Sequence, residues 1–239
     1  MPVARFLIRR RIMRAVLVGI AVLGLAATVQ AAPCYGTKLP LKKQLFVGVQ
    51  THYLFKRYQE HEAGKFRSGQ QFLLISYGVC DWLSVDLKGG GGFIKQHPHN
   101  SVELDYPAYM GGGYGFRLKV YDNKTIRAVC GFQHISVHPY TIHTGAGEEK
   151  HKAVLDDWQL SGLLSYEVFK VTPYLGAKWS RVDYIHWVDG TRDRVKSDLT
   201  KSIGVVFGIE VPLSKTMWLN LEGQALDGEA ASCSVNYSF

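Results

Sequence analysis

Past its first 32 residues this chain has no long apolar run, and nowhere does it show the 3.6-residue periodicity of an amphipathic helix. A helix that spans a bilayer needs about 20 apolar residues in succession, so the body of the chain is not a helical membrane protein. Cysteine is scarce: Cys34, Cys80, Cys130 and Cys233 allow two bridges at most. Cys34 and Cys80 fall where they could pair, while Cys130 and Cys233 read as small apolar residues facing lipid. A surplus of one charge is missing too. The formal net charge is +8, but five of the 28 basic residues (Arg5, Arg9, Arg10, Arg11 and Arg14) lie in the leading segment, which leaves 23 against 20 acidic. With no basic stretch interleaved with aromatics among the rest, nucleic acid is not an expected partner.

What the N-terminus does have is a charged stretch, an apolar run from Ala15 to Ala27, and small residues around Val29-Gln30-Ala31-Ala32. This is the make-up of a secretory signal for Sec-type export, and the run is too short for a spanning helix. The expected division is a removed signal over 1–32 and a single domain over 33–239. Cys34 does not follow a Leu-Ala-Ala or Leu-Ala-Gly run, so lipidation is not expected.

Two-residue alternation fills the remainder. Leu45, Val47, Val49, Tyr53 and Phe55 share one face of a first strand, with Gly48, Gln50, His52 and Lys56 on the other. The pattern recurs ten times, ending in Ala231, Cys233, Val235, Tyr237 and Phe239 with Ser and Asn between them. Short connections at Cys80–Trp82, Asp122–Lys124, Phe169–Val171 and Leu213–Thr216 alternate with long polar ones at 58–69, 95–106, 138–156 and 185–198. An even number of strands with apolar faces outward and two classes of connection predicts an all-β, up-and-down antiparallel transmembrane barrel of about ten strands. Trp82, Trp158, Trp179, Trp187 and Trp218 fall mostly near strand ends, as interfacial aromatics do.

The terminal strand, with its alternating aromatic and aliphatic residues finishing on Phe239, resembles the C-terminal assembly signal of Gram-negative outer-membrane β-barrels. That resemblance implies residence in the outer membrane, contact with outer-membrane lipid and lipopolysaccharide, and recognition of Val235, Tyr237 and Phe239 by the barrel-assembly machinery.

Facing the lumen, the alternation places Asp86, Lys88, Arg117, Arg127, Glu167, Lys178, Glu210 and Glu222, four of each sign. Mixed charge in a narrow barrel favours ion pairing and a plugged interior, hence a structural, binding or narrow-pore role without a cofactor. The glycines at 89–92 and 111–115 would leave interior space or ease curvature.

Two enzymatic or binding alternatives have residues attached. His134-Ile135-Ser136 resembles the His-x-Ser of the outer-membrane lipid A 3-O-deacylases, which would make Ser136 the nucleophile, His134 its base and Glu148 the orienting carboxylate. The residue after Ser136 is Val137, where that family has Asn. His97, His99, His138 and His143 lie in the outer connections and could hold a divalent metal. Ten strands also resemble the omptin proteases, for which Asp156, Asp157, Asp183 and His186 supply the residue types without the spacing.

Overall fold

A computed structural model describes residues 33–60, 63–99, 101–144 and 149–239; the expected signal segment, His61 and Glu148 lie outside the described residues. The strands are β1 (Leu45–Tyr58), β2 (Lys65–Cys80), β3 (Leu83–His97), β4 (Leu104–Tyr106), β5 (Met110–Asp122), β6 (Ile126–His138) and β7 (Ile142–Thr144). They continue with β8 (Glu149–Tyr166), β9 (Thr172–Val188), β10 (Thr191–Lys196), β11 (Ile203–Pro212), β12 (Met217–Ala225) and β13 (Glu229–Ser238).

Ten of them close a circuit of antiparallel ladders in the order β1, β2, β3, β5, β6, β8, β9, β11, β12, β13, and β13 pairs back onto β1. Closure leaves no free edge, so every wall strand satisfies its backbone inside the sheet, as a bilayer requires. The wall's exterior is apolar where it crosses: Leu73, Leu87, Leu160, Leu164, Leu175 and Phe207 are each 49–60% exposed. Large aliphatic and aromatic side chains left open around a closed barrel are a lipid-facing surface. The chain is a closed ten-stranded antiparallel β-barrel with a lipid-facing exterior, and the short turns and the outset of β1 lie together at one end, the periplasmic end of the expected topology.

Short β4, β7 and β10 pair with β3, β8 and β9 at the outer end. The outer connections expected as long polar loops are largely strand, because the backbone ladders continue beyond the bilayer. β8 has 18 residues and β9 has 17, whereas a tilted strand crosses a membrane in about 9–11. Along β8 the pattern changes sides where the strand leaves the lipid. In the lower half Leu160 and Leu164 face out, and Gln159 and Ser165 are buried inside. In the upper half Ala153 and Leu155 are buried inside, and Lys152 is exposed. Water outside the upper barrel drives apolar residues inward, so Phe66, Phe72, Ile94, Val137, Leu155 and Tyr184 form an ordinary core in the outer half of the lumen.

Two other local expectations are corrected. β1 bulges between Leu54 and Arg57, and the extra residue exchanges the faces beyond it. Lys56 consequently reaches Glu229 at 3.7 Å, with a third of its side chain exposed, while Arg57 is buried at 2%. Trp218 is not interfacial. It points into the periplasmic mouth, 5% exposed, with its ring edge against Phe46 at 4.7 Å between centroids.

Candidate functional site

Ahead of β1 the chain does not stay outside the barrel. Cys34, Tyr35 and Thr37 are buried within the periplasmic half of the lumen. Lumen carboxylates hold this segment by its backbone: Glu210 Oε1 accepts from the amides of Thr37 at 2.8 Å and Lys38 at 2.9 Å, and Glu222 Oε1 from that of Cys34 at 2.7 Å. Charge-assisted bonds of this kind are stronger than neutral ones and satisfy donors that would otherwise be stranded. Gly36 adopts φ +70°, and a Cβ there would stand 2.2 Å from Glu210 Oε1, so the turn that brings the amides onto the carboxylate requires glycine. From the opposite wall Arg117 donates to the Lys38 carbonyl at 3.0 Å, and the Lys38 ammonium lies 3.8 Å from the centroid of Trp218.

Arg117 also grips Asp86 with two parallel bonds of 2.9 Å. Higher up, Arg57 donates to Asp227 Oδ2 at 2.8 Å, and Lys178 Nζ reaches the same oxygen at 3.0 Å. Ser180 donates to it as well, at 2.7 Å. Asp227 belongs to the short turn between β12 and β13. It fits inside because Gly204 opposite has no side chain: a Cβ there would lie 2.0 Å from Asp227 Oδ1.

Of the eight charges assigned to the lumen from the sequence, Asp86, Lys88, Arg117, Lys178, Glu210 and Glu222 are buried there. Arg127 and Glu167 sit at the periplasmic rim instead, 3.8 Å apart and partly exposed, since β8 ends at Tyr166. Arg57 and Asp227 were missed, one because a bulge cannot be read from alternation and the other because it occupies a turn. Of the two readings of the glycines, interior space is not kept at Gly111, where the Phe72 ring comes 3.3 Å from where a Cβ would stand. All four cysteines are free, and Cys34 sits in the lumen with its sulfur accepting from Gln159 Nε2 at 2.9 Å, away from Cys80.

On the barrel exterior, β6 aligns His134, Ser136 and His138, but the structure connects them differently from the His-x-Ser reading. His134 stacks on Trp158 at 4.0 Å between centroids. The hydroxyl of Ser136 meets His138 Nε2 at 2.9 Å and Asp156 Oδ1 across the β6–β8 ladder. A carboxylate can only accept, so the Ser136 hydrogen goes to Asp156 and His138 supplies its own N–H. That is the reverse of a histidine base drawing a proton from serine.

The histidines do not converge either. His97 Nδ1 lies 3.7 Å from Glu103, and His143 is exposed on β7. Among the described residues no three metal-ligating side chains gather. The pair that does meet is His151 and His186, whose Nδ1 and Nε2 atoms are 3.0 Å apart above the membrane. Burial, and then the neighbouring His151, push the His186 imidazole below its ordinary pKa. Also on the outer face, a cleft of about 1030 Å³ opens between Tyr58, Lys65, His97, His99, Asp198 and Lys201.

No protein-family model matches the chain, and no curated protein does. Among solved structures it is similar to the translocator domain of the autotransporter NalP from Neisseria meningitidis, at 13% identity and TM-score 0.43, over 96% of this chain and 95% of that one. An outer membrane channel from Pseudomonas putida F1 gives 12% identity and TM-score 0.46, over 88% and 100% of the two chains. The outer membrane protease OmpT from Escherichia coli gives 10% and 0.40, over 82% and 94%.

Proposed function

We propose that this barrel passes no solute through its interior and works through its outer face, as a structural or binding element of the outer membrane. The observation that carries the reading is residues 34–38 lying in the lumen with their amides on Glu210 and Glu222. Above them, the Arg57–Asp227–Lys178 cluster and the apolar layer of Phe66, Phe72, Ile94 and Tyr184 occupy the same axis. Water and ions would have to displace a hydrogen-bonded peptide, a desolvated ion cluster and a packed core in turn. The outer face offers the cleft beside Tyr58, and the lipid around the wall would be lipopolysaccharide on that side. Assembly would depend on the barrel-assembly machinery reading Val235, Tyr237 and Phe239. Refolded protein in a planar bilayer should give no conductance steps; regular steps in single channels would overturn the reading.

One observation favours a second reading: Ser136 lies against both His138 and Asp156 on the barrel exterior, at the outer end of β6. A hydrolase acting on lipid A acyl esters would use Ser136 after His138 exchanged its ring proton. Mass spectrometry of lipid A from cells expressing the native protein or Ser136→Ala decides it. Identical acylation in both removes the hydrolase.

A further inference from the structure

The lumen segment rises with its amino end upward. Lys38 and Thr37 meet Glu210, which pairs in register with Asn220; Cys34 meets Glu222, one inward position further from the periplasm. On the far wall Gln159 Nε2 reaches Cys34 Sγ, and Gln133 Nε2 donates to the Pro33 carbonyl at 2.7 Å. Gln133 and Gln159 face each other across the β6–β8 ladder, and the next inward pair above them is Ile135 and Asp157.

Asp157 is the anomaly of this interior. Its Oδ1 is sealed from solvent with no hydrogen-bond partner among the described residues, although the residue as a whole is partly buried, and it forms no ion pair with any of them, Arg57 and Lys178 being held by Asp227. It borders a void no larger than a water molecule, beside His52, Arg57 and Gln70. An unpaired carboxylate away from water is costly enough that folded proteins neutralise or pair it. The chain directs Pro33 toward this row. Within a peptide bond the nitrogen of proline has no hydrogen and can donate nothing.

We propose that Asp157 is the receptor for the chain's own amino terminus, created when the signal segment is cut off ahead of Pro33. Hydrolysis of the 32–33 peptide bond adds the elements of water: oxygen goes to the Ala32 carbonyl carbon, giving a carboxylate. The proline nitrogen takes up hydrogen to become a secondary ammonium with two N–H donors and a positive charge. Processing thus turns a position without a donor into the cation that the unpaired Asp157 carboxylate lacks. A cut one residue earlier leaves the same class of group, a chain-terminal ammonium. The ligand class is a chain-terminal ammonium, and the site is complete only in the processed protein. The pairing rests on the seating of residues 33–38 and is read by terminal chemistry, separately from conductance.

The test uses mature protein purified from outer membranes. Intact mass and N-terminal peptide analysis should show a chain beginning at Pro33 or Ala32; a retained signal or a start elsewhere overturns the proposal. Reductive methylation with formaldehyde, read on the N-terminal peptide, should proceed at least tenfold more slowly in the native protein than in Asp157→Asn, whose amide removes the counter-charge at constant shape. Equal modification in both sinks the pairing. Should Asp157→Asn fail to assemble, a chain carrying four added residues between the cut and Pro33 replaces it. That chain should label at least tenfold faster than native, and protection equal to the native chain's counts against the site.

Discussion

Arg57 and Asp227 meet at 2.8 Å inside the barrel, both fully enclosed, although one follows a bulge and the other lies in a turn. Asp227 also holds Lys178 and Ser180, so this single carboxylate joins β1, β9 and the β12–β13 turn. Removing one partner of a buried pair leaves the other charge uncompensated. Arg57→Leu should therefore destabilise the barrel by about 3–5 kcal/mol in urea titrations of detergent-folded protein. A shift much smaller than this would mean that Lys178 alone neutralises Asp227.

The lumen segment can be expelled without touching the wall. In Gly36→Val a side chain would run into Glu210 and Asn220 from a backbone at φ +70°, so the turn cannot be kept. With Cys80, Cys130 and Cys233 replaced by alanine, the buried Cys34 should resist a maleimide reagent in the parent and be labelled completely in Gly36→Val. The same parent, run without reductant before those replacements, should show no Cys34–Cys80 crosslink.

Which side of β8 meets lipid is open to a direct check. Leu160, half-exposed on the wall, should lose about 2–4 kcal/mol of folding stability on change to Arg if it sits near the bilayer midplane. Leu155→Arg, in the upper core on the opposite face, should prevent folding of the outer half instead. Urea-induced unfolding into lipid vesicles separates the two outcomes.

His186 gives the outer hairpin a pH dependence. Its pKa in the folded protein lies below the ordinary 6.5 because burial and then His151 oppose its charge. The unfolded chain therefore binds the proton first. Stability is whole above pH 6.5 and falls as pH drops from there toward the lower folded value. Hydrogen exchange across β9 and β10, corrected for intrinsic rates, should accelerate at about pH 5.5 relative to about pH 8. His186→Phe should remove most of that change.

Much of the wall was legible in the sequence. Two-residue alternation can be satisfied only by strands, and strands with an apolar face in a bilayer must close, so the ten-stranded circuit follows from the residue order. The inward positions of Asp86, Lys88, Arg117, Lys178, Glu210 and Glu222 follow from the same parity. Parity is a local count, however, and it fails wherever the local frame changes. The bulge after Leu54 hid Arg57, and the Asp227 turn hid its partner. Beyond the membrane surface the apolar face moved from outside to inside, so the outer half of β8 has its core where its lower half has glutamine and serine.

The sequence by itself determined the periodicity, the closure it demands and the direction of the wall, because these depend on neighbours two residues apart and on the solvent outside. Only the tertiary structure decided what fills the barrel. The contacts of Glu222 with Cys34, Asp227 with Arg57 and Ser136 with Asp156 join residues 188, 170 and 20 positions apart. No spacing rule connects such residues; they meet because the ladders bring distant strands to one height around a common axis.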